Sequence, residues 1–256
     1  MMIFAITAMV LVTFAVLAWI NRPRIAGRRV LFRTEPDRPQ PFGDAMTWIA
    51  VGTTRTEAVL SALGVKRARP SNWASGVATV YDPEFASDRV FIAPPVNGWT
   101  LIAGTTLPRV TDLGSDDRAA QILRALSQTF GSCQLFSAEV VPGGFAWAQA
   151  EGGSIVRAEV VEHGRSSLTY GRRERDEDAL RKDLFELDGM YDRRGDFGSG
   201  LVFLPTSAFV FALAGHWSVD PTRLGSRAVA SVPKPGWIVR WSGGAAKAVT
   251  SRRAAA

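Results

Sequence analysis

The sequence has few of the residues from which metal and nucleophilic sites are usually built. Its 256 residues include one cysteine, Cys133, and two histidines, His163 and His216. One cysteine cannot form an internal disulfide, as is typical of proteins in a reducing compartment, and this set is too small for a zinc site. Neither Gly-x-x-x-x-Gly-Lys-Ser/Thr nor Gly-x-Gly-x-x-Gly occurs, so the glycine-rich turns do not predict phosphate binding. The sequence therefore predicts no metal and no cofactor.

The scarce chemically reactive residues also fit structural roles. His216 stands in the string HWSVD, but serine, histidine and aspartate so close together rarely form a catalytic relay, which normally joins separate segments. A helix end at His216, with Asp220 capping the next turn, is the favoured interpretation. Cys133 begins an apolar run and is predicted to be a core residue. No catalytic residue is predicted.

The first twenty residues, MMIFAITAMVLVTFAVLAWI, lack any charge. At a rise of about 1.5 Å per residue, a helix of that length covers about 30 Å, the thickness of a bilayer's hydrocarbon core. A secretory signal peptide is disfavoured because no basic residue precedes the run and no small-x-small cleavage site follows it. We predict a retained transmembrane anchor at residues 1–20.

A group of arginines follows this apolar run and predicts how it is oriented. Basic residues close to a span resist translocation, so the chain after the span is expected in the cytoplasm and the N-terminus outside. The expected location is the inner (cytoplasmic) membrane, with a single pass. The predicted contacts with the membrane surface are Trp19, Arg22, Arg24, Arg28, Arg29 and Arg33.

The excess of positive charge is concentrated in the same region. The chain has 30 basic and 24 acidic residues, a net charge of +6, and five of the arginines but no acid lie in residues 1–33. Residues 34–256 therefore carry a net charge of only +1. Arginines beside an anionic leaflet account for this basicity better than nucleic acid does. We expect the membrane and an unidentified protein as partners, and no nucleic acid.

Composition divides the chain into four parts. Residues 1–20 form the anchor, and residues 21–44 form the basic collar and a proline-rich linker. Prolines at positions 36, 39 and 41 predict an extended, semi-rigid spacer over residues 34–44. Residues 45–241 are predicted to form one α+β domain, and residues 242–256 a flexible tail.

Hydrophobic periodicity within residues 45–241 predicts an antiparallel or mixed sheet with packed helices. Repeated Leu-Ser and Gly-Trp elements leave a duplicated helix–strand–strand unit open as an alternative. Helices are predicted at 55–63, between Ser115 and Gly131, at 176–187 and at 205–217. Strands are predicted at 45–52, 77–81, 89–93, 98–104, 133–141, 143–150, 153–162 and 236–241.

Several element boundaries have their own signals. Thr54 and Glu57 have the spacing of a capping box, and Ser115 is the predicted cap of the next helix. Asn97 and Gly98 predict a tight hairpin turn, because both tolerate positive φ.

Three strings carry a resemblance: VFIAPPVNGWTLIAG, then ALSQTFGSCQLFSAEVV with the following FAWAQAEGGSIVRA, and AGHWSVDPTRL. Together they resemble a family of uncharacterised bacterial proteins over about residues 46–225. The resemblance implies one α+β domain with these strings in its core. It implies no activity and no catalytic residues.

These features predict a membrane-anchored cytoplasmic α+β protein that binds a protein partner at the inner membrane. One alternative is an immunity-like protein that neutralises a toxin. Another is an enzyme with dispersed carboxylates in a cleft between the strands and the 189–200 loop. Convergence of Glu139, Glu159 and Arg157 in a pocket would favour that enzyme.

Overall fold

The computed structural model of the chain describes residues 32–138, 144–163, 165–188, 205–225 and 234–241. The predicted anchor and tail lie outside these residues, as do Glu139 and the 189–200 loop. Within the described residues, no helix is both long enough and apolar enough to cross a bilayer.

Nine described strands form one sheet, and every adjacent pair in it is antiparallel. Their order across the sheet is β2-β9-β3-β4-β1-β5-β6-β7-β8. The α+β class and the antiparallel sheet are confirmed. The strands are β1 (Met46–Val51), β2 (Ala68–Ser71), β3 (Arg89–Ile92), β4 (Thr100–Gly104), β5 (Ser132–Ala138), β6 (Gly144–Glu151), β7 (Ser154–Glu162), β8 (Arg165–Tyr170) and β9 (Gly236–Arg240).

Helices cover both faces of this sheet. The described α-helices are α1 (Thr56–Ala62), α2 (Trp73–Tyr81), α3 (Arg118–Phe130), α4 (Arg175–Asp188) and α5 (Ser207–Trp217). One core contains side chains of α2 and α5 with Trp48 and Phe136 from the sheet, and Leu180 of α4 packs against it. The other core contains side chains of α1 and α3 with Ile49 and Leu135. Because side chains alternate along a strand, each of the seven strands between the edge strands β2 and β8 supplies both cores.

The strand predicted at 77–81 is wrong, because these residues belong to helix α2. Asn72 caps this helix by accepting a hydrogen bond from the backbone N–H of Ser75, at 3.0 Å. Gly76 lets the helix approach the sheet closely, since a Cβ placed there would lie 2.3 Å from the Phe91 ring. The run of valine, threonine and tyrosine resembles a strand locally, but its cap and its packing against the sheet favour a helix.

The segment predicted as a spacer, 34–44, lies along the domain instead. The Asp37 carboxylate accepts hydrogen bonds from the N–H groups of Trp73 and Ala74, at 2.7 and 2.9 Å. Phe42 is buried and packs edge-on to Trp48. Proline content could not reveal that this segment has a helix and a core to pack against.

Turn and cap predictions are partly confirmed. Asn97 and Gly98 both have positive φ, 50° and 87°, between the bridged residues Val96 and Trp99. Helix α3 is capped by Asp117 rather than Ser115. Burial would raise the pKa of the Asp117 carboxyl, but four backbone N–H donors outweigh burial and hold it below its usual value.

The capping box predicted at Thr54 and Glu57 is wrong. Helix α1 begins after Arg55, which makes no side-chain cap, and the Thr53 hydroxyl accepts from the Arg55 N–H instead.

The order of elements gives no support for a duplicated unit. Helix α1 is followed by β2, α2, β3 and β4, whereas α3 is followed by four consecutive strands.

Candidate functional site

The three most buried charged residues that the structure describes, Arg157, Glu159 and Glu177, form a group with the partly buried Arg181. We name this group the ion network. Arg157 and Glu159 are two apart in strand β7, so both point to one face of the sheet. Glu177 and Arg181 are four apart in helix α4, so both lie on one side of that helix. Packing of α4 on the sheet brings the two pairs together.

Hydrogen bonds join all four members of the ion network. The Arg157 guanidinium donates to Glu177 through Nε at 2.9 Å and through a terminal nitrogen at 2.6 Å, and it also pairs with Glu159. Arg181 donates to Glu159 at 2.6 Å. Arg157 further donates to the backbone carbonyls of Ala158 and Tyr170.

Neighbouring side chains complete the shell around these charges. The Trp147 indole N–H donates to Glu177 at 3.2 Å, and the Ser166 hydroxyl donates to Glu159 at 3.0 Å. The Arg181 guanidinium also lies 5.7 Å from the ring centre of Trp147. Only Arg181 retains some contact with solvent, because its side chain is 13% exposed and those of the other members are at most 2% exposed.

The surroundings favour the charged forms of Arg157 and Glu159. Burial would lower the pKa of the Arg157 guanidinium, but the hydrogen bonds and charges of Glu177 and Glu159 outweigh this and raise it. Burial would raise the pKa of the Glu159 carboxyl, but Arg181 and Arg157 outweigh this and lower it. With two arginines and two glutamates, the network has a formal net charge of zero.

A cluster of mutually paired charges with no formal net charge is suited to fixing structure. A general acid or base must exchange a proton near neutral pH, and a substrate needs access to the group that transfers it. Arg157 and Glu159 lie together on strand β7, where they bind each other and α4, whereas Glu139, the third residue named for the enzyme alternative, lies outside the described residues. Within the described ranges, no three His, Cys, Asp or Glu side chains are grouped to hold a metal ion.

A groove of about 700 Å³ lies beside helix α5 and the turn that follows it, and we name it the α5 groove. Apart from His216, its wall on the helix consists of small or apolar side chains, and most of the lining residues outside the helix are polar. The helix residues that line it are Ala208, Phe211, Ala212, Gly215 and His216. The lining residues outside the helix are Asn97, Ser218, Val219, Asp220, Thr222, Arg223 and Leu224.

Helix α5 is apolar on its outward side as well as on its buried side. Thr206 caps it by accepting from the Phe209 N–H at 3.3 Å. Phe209 and Leu213 are buried in the core, while Phe211 is half-buried and stacks on Trp48 at 5.8 Å. Surface helices usually present a polar outer face, and an apolar outer face is typical of a contact surface.

The rim of the α5 groove is held in place by the turn after the helix. The Asp220 carboxylate accepts hydrogen bonds from the N–H and hydroxyl of Thr222, at 2.9 and 2.6 Å. Arg223 pairs with Asp220 at 3.3 Å, and its side chain remains 85% exposed. The prediction that Asp220 caps a short turn beginning at Pro221 is confirmed.

Of the predicted membrane-contact residues, the structure describes Arg33 alone. Its side chain is exposed, its N–H donates to the Ser75 hydroxyl at 3.0 Å, and its carbonyl accepts from the Asn72 N–H at 2.7 Å. Trp19, Arg22, Arg24, Arg28 and Arg29 lie outside the described residues.

Other predicted residues have the expected surroundings. Cys133 is fully buried in β5, and His163 is exposed in the turn after β7 with a φ of 49°. His216 is exposed in the last turn of α5.

Sequence reasoning missed the ion network as a unit and missed the α5 groove. The spacings Arg-x-Glu in β7 and Glu-x-x-x-Arg in α4 carried a signal for the network, because each places two charges on one face. Nothing in the sequence paired that strand with that helix.

No family model, curated protein or solved structure matches this chain. The resemblance to a family of uncharacterised bacterial proteins stays a prediction.

Proposed function

We propose that this protein is anchored in the inner membrane by residues 1–20 and binds a protein partner through the α5 groove on the cytoplasmic side. The observation that carries the proposal is the groove itself, which combines an apolar helix wall with a polar rim. Core residues fix the wall from behind, so the surface is formed before any partner binds.

The shape of the wall favours a helical segment of the partner. Ala208, Ala212 and Gly215 follow one another at spacings of four and three, so they lie along one side of α5. Small side chains allow another helix to approach closely, and half-buried Phe211 offers apolar contact area between them. Asn97, His216 and Arg223 at the rim offer polar contacts that would fix the orientation of the partner.

An immunity-like protein is a concrete version of this proposal, with a toxin as the partner. The enzyme alternative has less support, because the ionisable groups that converge pair with one another in the ion network. We therefore propose no enzymatic reaction.

The test is affinity capture with the full-length, tagged protein from detergent-solubilised membranes. Ala208 is exposed, so Ala208→Arg blocks the groove without disturbing the core. We expect this change to lower recovery of the specific partner at least tenfold, which corresponds to about 1.4 kcal/mol of binding free energy.

Ala78→Arg is the matched control, since Ala78 is an exposed helical alanine of α2 that does not line the groove. It should leave recovery unchanged. Equal recovery with both variants, or no protein enriched by the unsubstituted chain, would contradict the proposal.

A further inference from the structure

The β2 edge of the sheet carries a concentration of basic side chains that we name the basic edge. Lys66, Arg67 and Arg69 belong to β2 or immediately precede it, and all three are exposed. Arg240 and Arg89 face each other on the neighbouring strands β9 and β3. Arg33 joins the group through its backbone hydrogen bond to Asn72, next to the end of β2.

Two aromatic rings hold the start of the described chain against this edge. The Arg69 guanidinium lies 4.6 Å from the ring centre of Phe32, and the Arg89 guanidinium lies 4.8 Å from that of Phe85. The two rings contact each other edge-on, with centroids 6.2 Å apart. The chain therefore reaches the domain at β2, at a fixed place.

The charge of the basic edge is only partly compensated. Residues 32–37, 66–71, 88–91 and 236–241 contain six basic and three acidic residues, a net charge of +3. Asp88 pairs with Arg89 and Arg240, and Asp37 is engaged at the start of α2. Among the described residues, no carboxylate lies within ion-pair distance of Lys66, Arg67 or Arg69.

Phe32 is where the chain from the proposed anchor would join the domain. If residues 1–20 span the membrane, the eleven residues 21–31 join the span to Phe32, a reach of at most about 40 Å. The β8 edge lies eight strand spacings from β2, about 38 Å across the sheet at roughly 4.8 Å per spacing. Tethering raises the effective concentration of the basic edge at the lipid surface, so that a weak attraction is sufficient for contact.

We propose that the basic edge is the membrane-facing surface of the domain and that it binds the headgroups of anionic lipids. This inference rests on the proposed anchor, and it adds an orientation for the domain and a lipid class. Each basic residue near an anionic leaflet strengthens the contact about fivefold. Lys66, Arg67 and Arg69 together would favour the docked over the lifted domain by about a hundredfold.

The test uses the full chain reconstituted in vesicles of phosphatidylcholine, with or without phosphatidylserine, and a quencher carried on lipid headgroups. A fluorophore is attached at Ala68→Cys on the basic edge or at Thr169→Cys on β8, both exposed positions. Cys133 is buried, and burial raises the pKa of its thiol, so it stays unlabelled in the folded chain. We expect stronger quenching at position 68 than at 169, and only in vesicles that contain phosphatidylserine.

Neutralising the edge should abolish this difference. The triple change Lys66→Gln, Arg67→Gln and Arg69→Gln should reduce quenching at position 68 to the level at 169. The matched control changes three exposed arginines at the other end of the sheet, Arg165→Gln, Arg172→Gln and Arg173→Gln, and should have no effect.

The outcomes separate this inference from the proposed function. A chain that floats with the vesicles after alkaline washing, yet shows equal quenching at both positions, retains its anchor and overturns the basic edge as the docking surface. Insensitivity of quenching to the neutralising triple change overturns it as well. A chain that floats with neither vesicle overturns the anchor, and the inference with it.

Discussion

Arg157 is buried to 1% exposure and still keeps its charge, because two carboxylates and two backbone carbonyls surround its guanidinium. Such a residue depends on partners from two elements. When one partner is removed, the remaining charge is left buried without compensation, and that penalty exceeds the net contribution of the intact pair.

We therefore predict that Arg157→Ala lowers the free energy of unfolding by about 3–5 kcal/mol, because Glu159 and Glu177 lose the more buried of their two shared arginine partners. Chemical denaturation followed by circular dichroism measures this change. Arg172→Ala removes an exposed arginine and should change stability by less than about 0.5 kcal/mol. A loss below about 1 kcal/mol for Arg157→Ala would mean that the ion network does not hold α4 on the sheet.

At the residue scale, several turns and caps with a local cause are predicted correctly from the sequence, although the capping box at Thr54 and Glu57 is not. Asn97, Gly98 and Asp220 were assigned correctly because a turn or cap depends on the residue and its immediate neighbours. Asp117 was missed as the cap of α3 because its carboxylate also binds the N–H groups of Thr111 and Leu113, and the preceding loop sets that contact.

At the element scale, tertiary contacts override local patterns in two places. Residues 77–81 have the local pattern of a strand but form the second half of helix α2. Asn72 caps this helix, and Gly76 allows it to pack closely against Phe91. Residues 34–44 read as a spacer but bind that same helix through Asp37 and enter the core through Phe42. The second difference shortens the connection to the proposed anchor.

Phe42→Ala distinguishes a packed segment from a spacer. Because the Phe42 ring is 5% exposed and contacts Trp48, its removal should cost about 3–5 kcal/mol of stability through lost burial and a cavity. Thermal denaturation of the full chain in detergent provides the measurement. Glu35→Ala, at an exposed position in the same segment, is the control and should leave the melting temperature nearly unchanged. Similar melting temperatures for both variants would favour the interpretation of residues 34–44 as a spacer.

At the scale of the whole molecule, the last described strand, β9, joins two strands that come early in the chain. β9 lies between β2 and β3, although more than 140 residues separate it from them in sequence. Ile238 and Val239 of this strand belong to the two opposite cores. The β2 end of the sheet, including the basic edge, is therefore complete only when the C-terminal strand is in place.

Two truncations test this dependence. Deleting residues 234–256 removes β9 and leaves β2 and β3 without their common partner, so we expect loss of the cooperative unfolding transition. Deleting residues 242–256 keeps every described strand and should leave that transition intact. Limited proteolysis and circular dichroism compare the two chains, and equal resistance of both would contradict the strand order.

The sequence by itself determined the features that depend on neighbouring residues: the α+β class, most helices and strands, the tight turns, and an uncharged N-terminal run followed by arginines. The tertiary structure decided what depends on distant contacts, namely the strand order, the helical state of 77–81, the docking of 34–44, the ion network and the α5 groove. Periodicity encodes which face of an element is apolar, but it does not encode which element covers that face. The fit of complete surfaces decides which helices and strands pack together, and those surfaces exist only once the chain has folded.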